Sequence, residues 1–149
     1  MRPMMYGRFA ASLPGSLVVM YLLAFSQIDV LGHLELSLSV FWISLSMISA
    51  MGLIMLLAMG NMLQNKRVNA VLYVVLGLVL IGAFTAGRSE ALVGDDAFLR
   101  SMIPHHSRAI HMCQEAGLSD AEIRDLCRQI IEAQREEIAQ MYAIMDRRG

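Results

Sequence analysis

The chain has 149 residues, of which 56% are hydrophobic and only 17% charged, with a formal net charge of −1. Soluble domains carry roughly 25% charged residues, so an ordinary soluble protein is disfavoured, and the near-neutral balance offers no basic surface for nucleic acid. The charges are also uneven: residues 1–87 hold four basic and two acidic groups, residues 88–149 eight and eleven.

Three apolar stretches come first, at about 9–27, 36–59 and 70–87. Each has 18 or more residues, enough to cross roughly 30 Å of hydrocarbon at about 1.5 Å per residue. The first is softened by Pro14 and Gly15. Arg2 and Arg8 before it also suit a signal peptide, but no small-x-small cleavage site follows, and Ser26, Gln27 and Asp29 fit an exit at the membrane surface. The short loops set direction: Arg2 and Arg8 precede the first stretch, 28–35 lacks Lys and Arg, and 60–69 holds Lys66 and Arg67. Basic loops stay inside, so the sequence predicts a membrane domain over 1–88 with a cytoplasmic N-terminus, in the lipid bilayer of a bacterial inner (cytoplasmic) membrane. Residues 88–149 are then periplasmic or extracellular. Within the second stretch Met47, Met51, Met55 and Met59 recur at i+4, with Met62 three further on. They fill gaps well as apolar side chains, and thioethers at one-turn spacing can also pass a soft ion along one face.

Gly94 breaks the chain and Asp95 is the expected N-cap of a first outer helix. Its apolar positions run Phe98, Leu99, Met102, Ile103, His106, Ala109, Ile110, Cys113 and Ala116, with Gly117 as the residue after its end. Ser119 opens a capping box with Glu122. A second helix follows, with an inner stripe of Ile123, Cys127, Ile130, Ile131, Gln134, Ile138, Met141 and Met145. The predicted class is therefore all-α: three transmembrane helices, then an antiparallel helical hairpin over 95–146. So small a hairpin buries little core alone, so a homodimer forming a four-helix bundle through Ile130, Gln134 and Ile138 is expected.

The chemistry sits in Met102-Ile-Pro-His-His-Ser-Arg-Ala-Ile-His-Met112-Cys. Thioether and thiolate sulfur favour copper(I), and imidazole accepts copper readily. At about 100° per residue Met102, His106 and Cys113 share a face, with His105 and Met112 on its edge and His111 opposite, toward solvent. Pro104 should kink the helix. A turn centred on Leu118 sets Gln134 opposite Met102, able to orient an imidazole. Met102 and Met112 can also be plain core fillers, and one histidine a satisfied core residue.

Two cysteines outside the cytoplasm suggest a disulfide by default. The same turn staggers Cys113 from Cys127 by about four residues, near 6 Å along the axis. Added to an interhelix spacing of about 8–10 Å, this puts the Cα atoms beyond the roughly 7 Å reach of a bridge, so the sequence predicts two unbonded cysteines, with Cys113 an accessory thiolate and Cys127 in the core.

The run Phe98–Met112, together with Ile130–Met141, resembles the family catalogued as domain of unknown function 305 over about residues 95–145. The resemblance implies a ferritin-like helical domain, binding of copper or silver as in secreted CopM-type members, and metal-site positions at Met102, His105, His106, Met112 and Met141. It also implies a membrane-anchored subgroup and a role in metal homeostasis or resistance. The chain departs from the secreted members in being anchored. No enzyme is expected. Di-iron chemistry needs Glu-x-x-His pairs and a zinc hydrolase His-Glu-x-x-His, and the sequence has neither. The leading expectation is an anchored copper(I) or silver(I) binder that serves a periplasmic copper-handling protein. Against it stand a membrane scaffold whose hairpin binds a protein partner and a copper-conducting channel or carrier.

Overall fold

The computed structural model describes residues 2–60 and 62–148. These form five α-helices: α1 Arg2–Leu23, α2 Leu38–Ala58, α3 Lys66–Arg88, α4 Asp95–Glu115 and α5 Ala121–Arg148, with a 3-10 turn at Leu31–His33. No strand occurs among the described residues, so the all-α class holds. The chain divides into two compact units. One joins Met1–Leu23 to Ser39–Ala91, the other Ala24–Leu38 to Leu92–Gly149.

In the first unit α2 and α3 are long and apolar enough to cross a membrane, and only 28% and 11% of their spans are buried. Of the three expected spans, these two meet that measure among the described residues. α1 begins earlier than expected and takes Tyr6, Arg8 and Ser12 into its first half, which dilutes its apolar character. Helix α2 is ordered opposite to a soluble core helix. Its buried positions are Ser44, Ile48, Ser49, Gly52 and Leu56, while Ile43, Met47, Met51, Ile54 and Leu57 face outward. Small residues let helices approach closely: a Cβ on Gly52 would stand 3.0 Å from Leu76 Cδ1 and 3.2 Å from Leu13 Cδ2. Phe9, Leu56, Leu63 and Leu76 form the core of this unit. The methionine series is split across it. Met47 and Met51 are exposed, whereas Met55 and Met59 pack on that core, so the five sulfurs do not line one continuous track. At one end the Tyr6 hydroxyl donates to Asn69 Oδ1 at 2.8 Å and accepts from the Asn65 N–H at 3.0 Å. Asn65 caps α3 through its side chain.

In the second unit α4 and α5 pack antiparallel around Leu99, Ile103, Ile110, Ile138 and Met141, with Met102, Ile131, Tyr142, Ile144 and Met145 against them. Helix α4 continues through Pro104. Its N-cap is Gly94, one residue before the expected Asp95; Asp95 and Asp96 lie in the first turn, where Arg148 of α5 pairs with both. Gly117 does not close the helix in a left-handed conformation. Ala116 ends it with extended backbone at φ −69° and ψ 131°. The cap of α5 is Asp120, whose Oδ1 accepts from the N–H groups of Glu122 and Ile123 at 2.8 and 3.1 Å, not Ser119.

The connection therefore takes all of 116–120 and α5 starts late. That delay removes the predicted stagger. Cys113 and Cys127 face each other with Cα atoms 5.4 Å apart and form a disulfide, so the expectation of two unbonded cysteines is overturned. The same shift takes Gln134 away from Met102 and places Glu137 beside His106.

Residues 24–38 belong with this hairpin. The Asp29 N–H donates to Ser107 Oγ at 2.8 Å, and His33 Nδ1 lies 2.9 Å from the same oxygen. Ser37 donates to Ser101 at 3.0 Å, the Tyr142 hydroxyl to the Gly32 carbonyl at 2.7 Å, and Arg100 to Glu35 at 2.6 Å. Ser107 is buried beneath this strap, and Ser37 of the strap is buried too.

Candidate metal centre

His106 is the best-positioned of the expected ligands. It occupies the inner face of α4, its side chain only 12% exposed. Nδ1 lies 2.8 Å from the Met102 carbonyl one turn back, and Nε2 lies 2.8 Å from Glu137 Oε2 on α5. A neutral imidazole has one N–H, so it cannot satisfy both acceptors at once. A proton on Nε2 makes the bond to Glu137 and a proton on Nδ1 the bond to the Met102 carbonyl; the second form frees the Nε2 lone pair while the carbonyl holds the ring. This is the support that metal-binding histidines commonly receive.

Glu137 meets this nitrogen, and the hairpin core carries two thioether side chains. Met102 is half-buried against the core and Met141, one turn beyond Glu137, is buried in it. Glu137 is half-exposed and accepts a hydrogen bond from the Gln134 amide at 3.2 Å. Gln134 therefore reaches His106 through a carboxylate and not directly. His105 is exposed, its ring centroid 5.8 Å from that of His106 at a steep 65°.

The other expected ligands lie elsewhere. Met112 is 63% exposed. Cys113 is held in the disulfide, so its sulfur is no thiolate in this form. His111 is half-buried, not turned fully to solvent. Among the described residues no three His, Cys, Asp or Glu side chains converge to hold a metal ion. Of the expected thioether residues, Met102 and Met141 are the two that belong to the hairpin core.

Two groups escaped the sequence reading. Glu137 was hidden by the register error. The strap residues Asp29, His33 and Glu35 fall in a short loop with no periodicity to assign them a face. Gln114 ties the strap further: with its amide nitrogen toward the strap it donates to Asp29 Oδ1 at 2.6 Å and accepts from Arg135 at 3.3 Å. Tyr142, beneath the strap, has its phenol pKa raised, first by burial and then by the negative charge of Glu35.

The chain is similar to an uncharacterized protein of Acanthamoeba polyphaga mimivirus, with 29% identity over 120 residues, 79% of this chain and 77% of the viral one. That alignment is longer than the hairpin and takes in part of the apolar helices. No solved structure matches the chain. Residues 87–145, which take in the helical hairpin, match the model of the family described as Domain of unknown function (DUF305).

Proposed function

We propose that this is a membrane-anchored protein whose outer hairpin binds a soft monovalent cation, copper(I) or silver(I), through Met102, His106 and Met141, with His105 at the rim. The observation that carries the reading is the tethered imidazole. Its Nδ1 rests on the Met102 carbonyl, so Nε2 is held toward α5 at Glu137, one turn before Met141 of the hairpin core. Sulfur and imidazole without a converging acid triad select soft ions over zinc or magnesium. Metal homeostasis or resistance is the role such a site serves, at the outer face of a bacterial inner membrane.

The membrane half of the proposal rests on α2, which buries Ser44, Ser49 and Gly52 beside Ile48 and Leu56 while Ile43, Met47, Met51, Ile54 and Leu57 face outward. Crossings by α2 and α3 leave 24–38 and 92–148 on one side of the bilayer, as the hydrogen bonds between those segments require. A third crossing by α1 puts the N-terminus on the side of Lys66 and Arg67, in keeping with its contact to Asn65 and Asn69.

Silver(I) titration of the full chain in detergent, disulfide intact, tests the site. Binding of about one ion per chain that is lost in Met102→Leu/His106→Ala supports it. Equal heats from the two proteins sink it.

A second reading has its own support. His106 is already paired with Glu137, and no buried side-chain polar atom among the described residues lacks a partner. A hairpin so satisfied can serve as a scaffold for a protein partner, and an unchanged titration favours that reading.

A further inference from the structure

The Cys113–Cys127 bridge stands apart from the Met102–His106 group. It joins the last turns of α4 to the second turn of α5, seven residues along α4 from His106. Neither cysteine belongs to the hydrophobic core. Both are half-buried in the wall of an open cavity of about 510 Å³, which Leu118, Arg124, Arg128 and Ile131 also line. A small reductant or a metal ion can therefore reach the sulfurs without unfolding the hairpin. Arg124 and Arg128 line the same wall, Arg128 in an ion pair with Asp125.

We infer that reduction of this bridge by a dithiol opens a second soft-metal site, a two-coordinate bis-thiolate centre for copper(I) or silver(I). One thiolate of the dithiol attacks a cysteine sulfur, the bridge breaks, and a mixed disulfide forms. The second thiol of the reagent then displaces the cysteine, leaving Cys113 and Cys127 as thiols and the reagent as a cyclic disulfide. Two electrons pass to the bridge and two protons end on its sulfurs. The metal cation then displaces both protons and sits between two thiolates, with no change in its own oxidation state. The resulting centre carries one negative charge, and Arg124 lines the cavity beside it. A metal between two sulfurs needs them roughly 4.5 Å apart, twice a metal–thiolate bond of about 2.3 Å. Cα atoms 5.4 Å apart allow this by side-chain rotation alone. The site is then closed in an oxidising compartment and open to metal when a dithiol acts on it.

The test uses the full chain in detergent with silver(I) alone as probe, after anaerobic removal of the dithiol. Reduced wild type should bind one more ion than oxidised wild type, and the bound ion should protect both cysteines from alkylation. Met102→Leu/His106→Ala should show the same gain on reduction, which separates this site from the one proposed above. Cys113→Ser and Cys127→Ser should each weaken the added site by roughly a hundredfold, since one of two tethered ligands is lost. Far-ultraviolet circular dichroism should be the same before and after reduction. Three results overturn the inference: no gain on reduction, two ions bound independently at the two thiols, or loss of helix on reduction, which makes the bridge a staple only.

Discussion

Replacing Ser107 by alanine should release the strap while leaving the hairpin folded. The Ser107 hydroxyl is fully buried and serves two groups at once, the Asp29 N–H at 2.8 Å and His33 Nδ1 at 2.9 Å. Alanine fits the space but offers neither bond. An orphaned buried donor costs about 1–3 kcal/mol, and Asp29 is only half-buried, so water recovers part of it. About 1.4–2 kcal/mol remains for the pair. The other ties are weaker: Ser37 to Ser101 and Tyr142 to Gly32 are single neutral bonds, worth about 0.5–1.5 kcal/mol each. The pairing of Arg100 with Glu35 has a half-exposed guanidinium and is worth about 0–1 kcal/mol. Local opening of 24–38 should therefore rise about tenfold to thirtyfold. Hydrogen exchange with mass spectrometry on the full chain in nanodiscs reads this directly. Peptides within 24–38 should exchange faster in Ser107→Ala, and those within α4 and α5 should not. Unchanged exchange in the strap, or equal acceleration throughout α5, would falsify the assignment of Ser107 as its principal tie.

Glu137→Gln should raise silver(I) affinity by roughly fivefold to tenfold by calorimetry, because the carboxylate that holds a proton on His106 Nε2 is gone and the lone pair is free for the metal; a fall in affinity would make Glu137 a ligand. Raising the pH above about 10 should loosen the strap. The Tyr142 pKa is raised in the fold, so its contribution is fully present below the unfolded value and is lost as pH climbs through the folded one. Ionisation removes the donor to Gly32 and sets a second charge near Glu35, so Tyr142→Phe should abolish this alkaline step in exchange measurements. Gly52→Ala should cost little in thermal melts in detergent, since its neighbours are flexible leucine ends, whereas Gly52→Leu should cost about 1–3 kcal/mol by overpacking α1 and α3. Equal melting of the two variants would mean the helices do not meet at Gly52.

Composition and periodicity were enough to read five helices and the division between apolar and charged parts, because both follow from local patterns. Which apolar residues face inward was not legible. In a helix apolar all round, as α2 is, periodicity carries no phase. The inner face is marked instead by Ser44, Ser49 and Gly52, small groups that hydropathy ranks low. The methionine series looked like one stripe for the same reason: i+4 spacing drifts around a straight helix, so Met47 and Met59 end on different surroundings.

The site was legible in kind and misplaced in detail, and one turn accounts for both cysteine and glutamine errors. A connection centred on Leu118 and one occupying 116–120 differ by only a few residues, but every cross-hairpin pair inherits that difference. Gln134 opposite Met102 becomes Glu137 opposite His106, and two staggered cysteines become a bridge. The deciding signal was present in Asp120, a better helix cap than Ser119 once Ala116 has turned extended. The strap is a different case. Its ties run from backbone and small polar groups of 29–37 to Ser101, Ser107 and Tyr142, more than sixty positions later. No local pattern encodes such pairs. Only Ser107 hints at one, a hydroxyl on the inner face of α4 among Ile103, Pro104 and Ile110, where a buried polar group must find a partner from somewhere. That partner comes from the first loop, so the segment before the first apolar span of α2 and the hairpin after the last must fold together. Any crossing of the bilayer by α2 and α3 has to return the chain to the side it left.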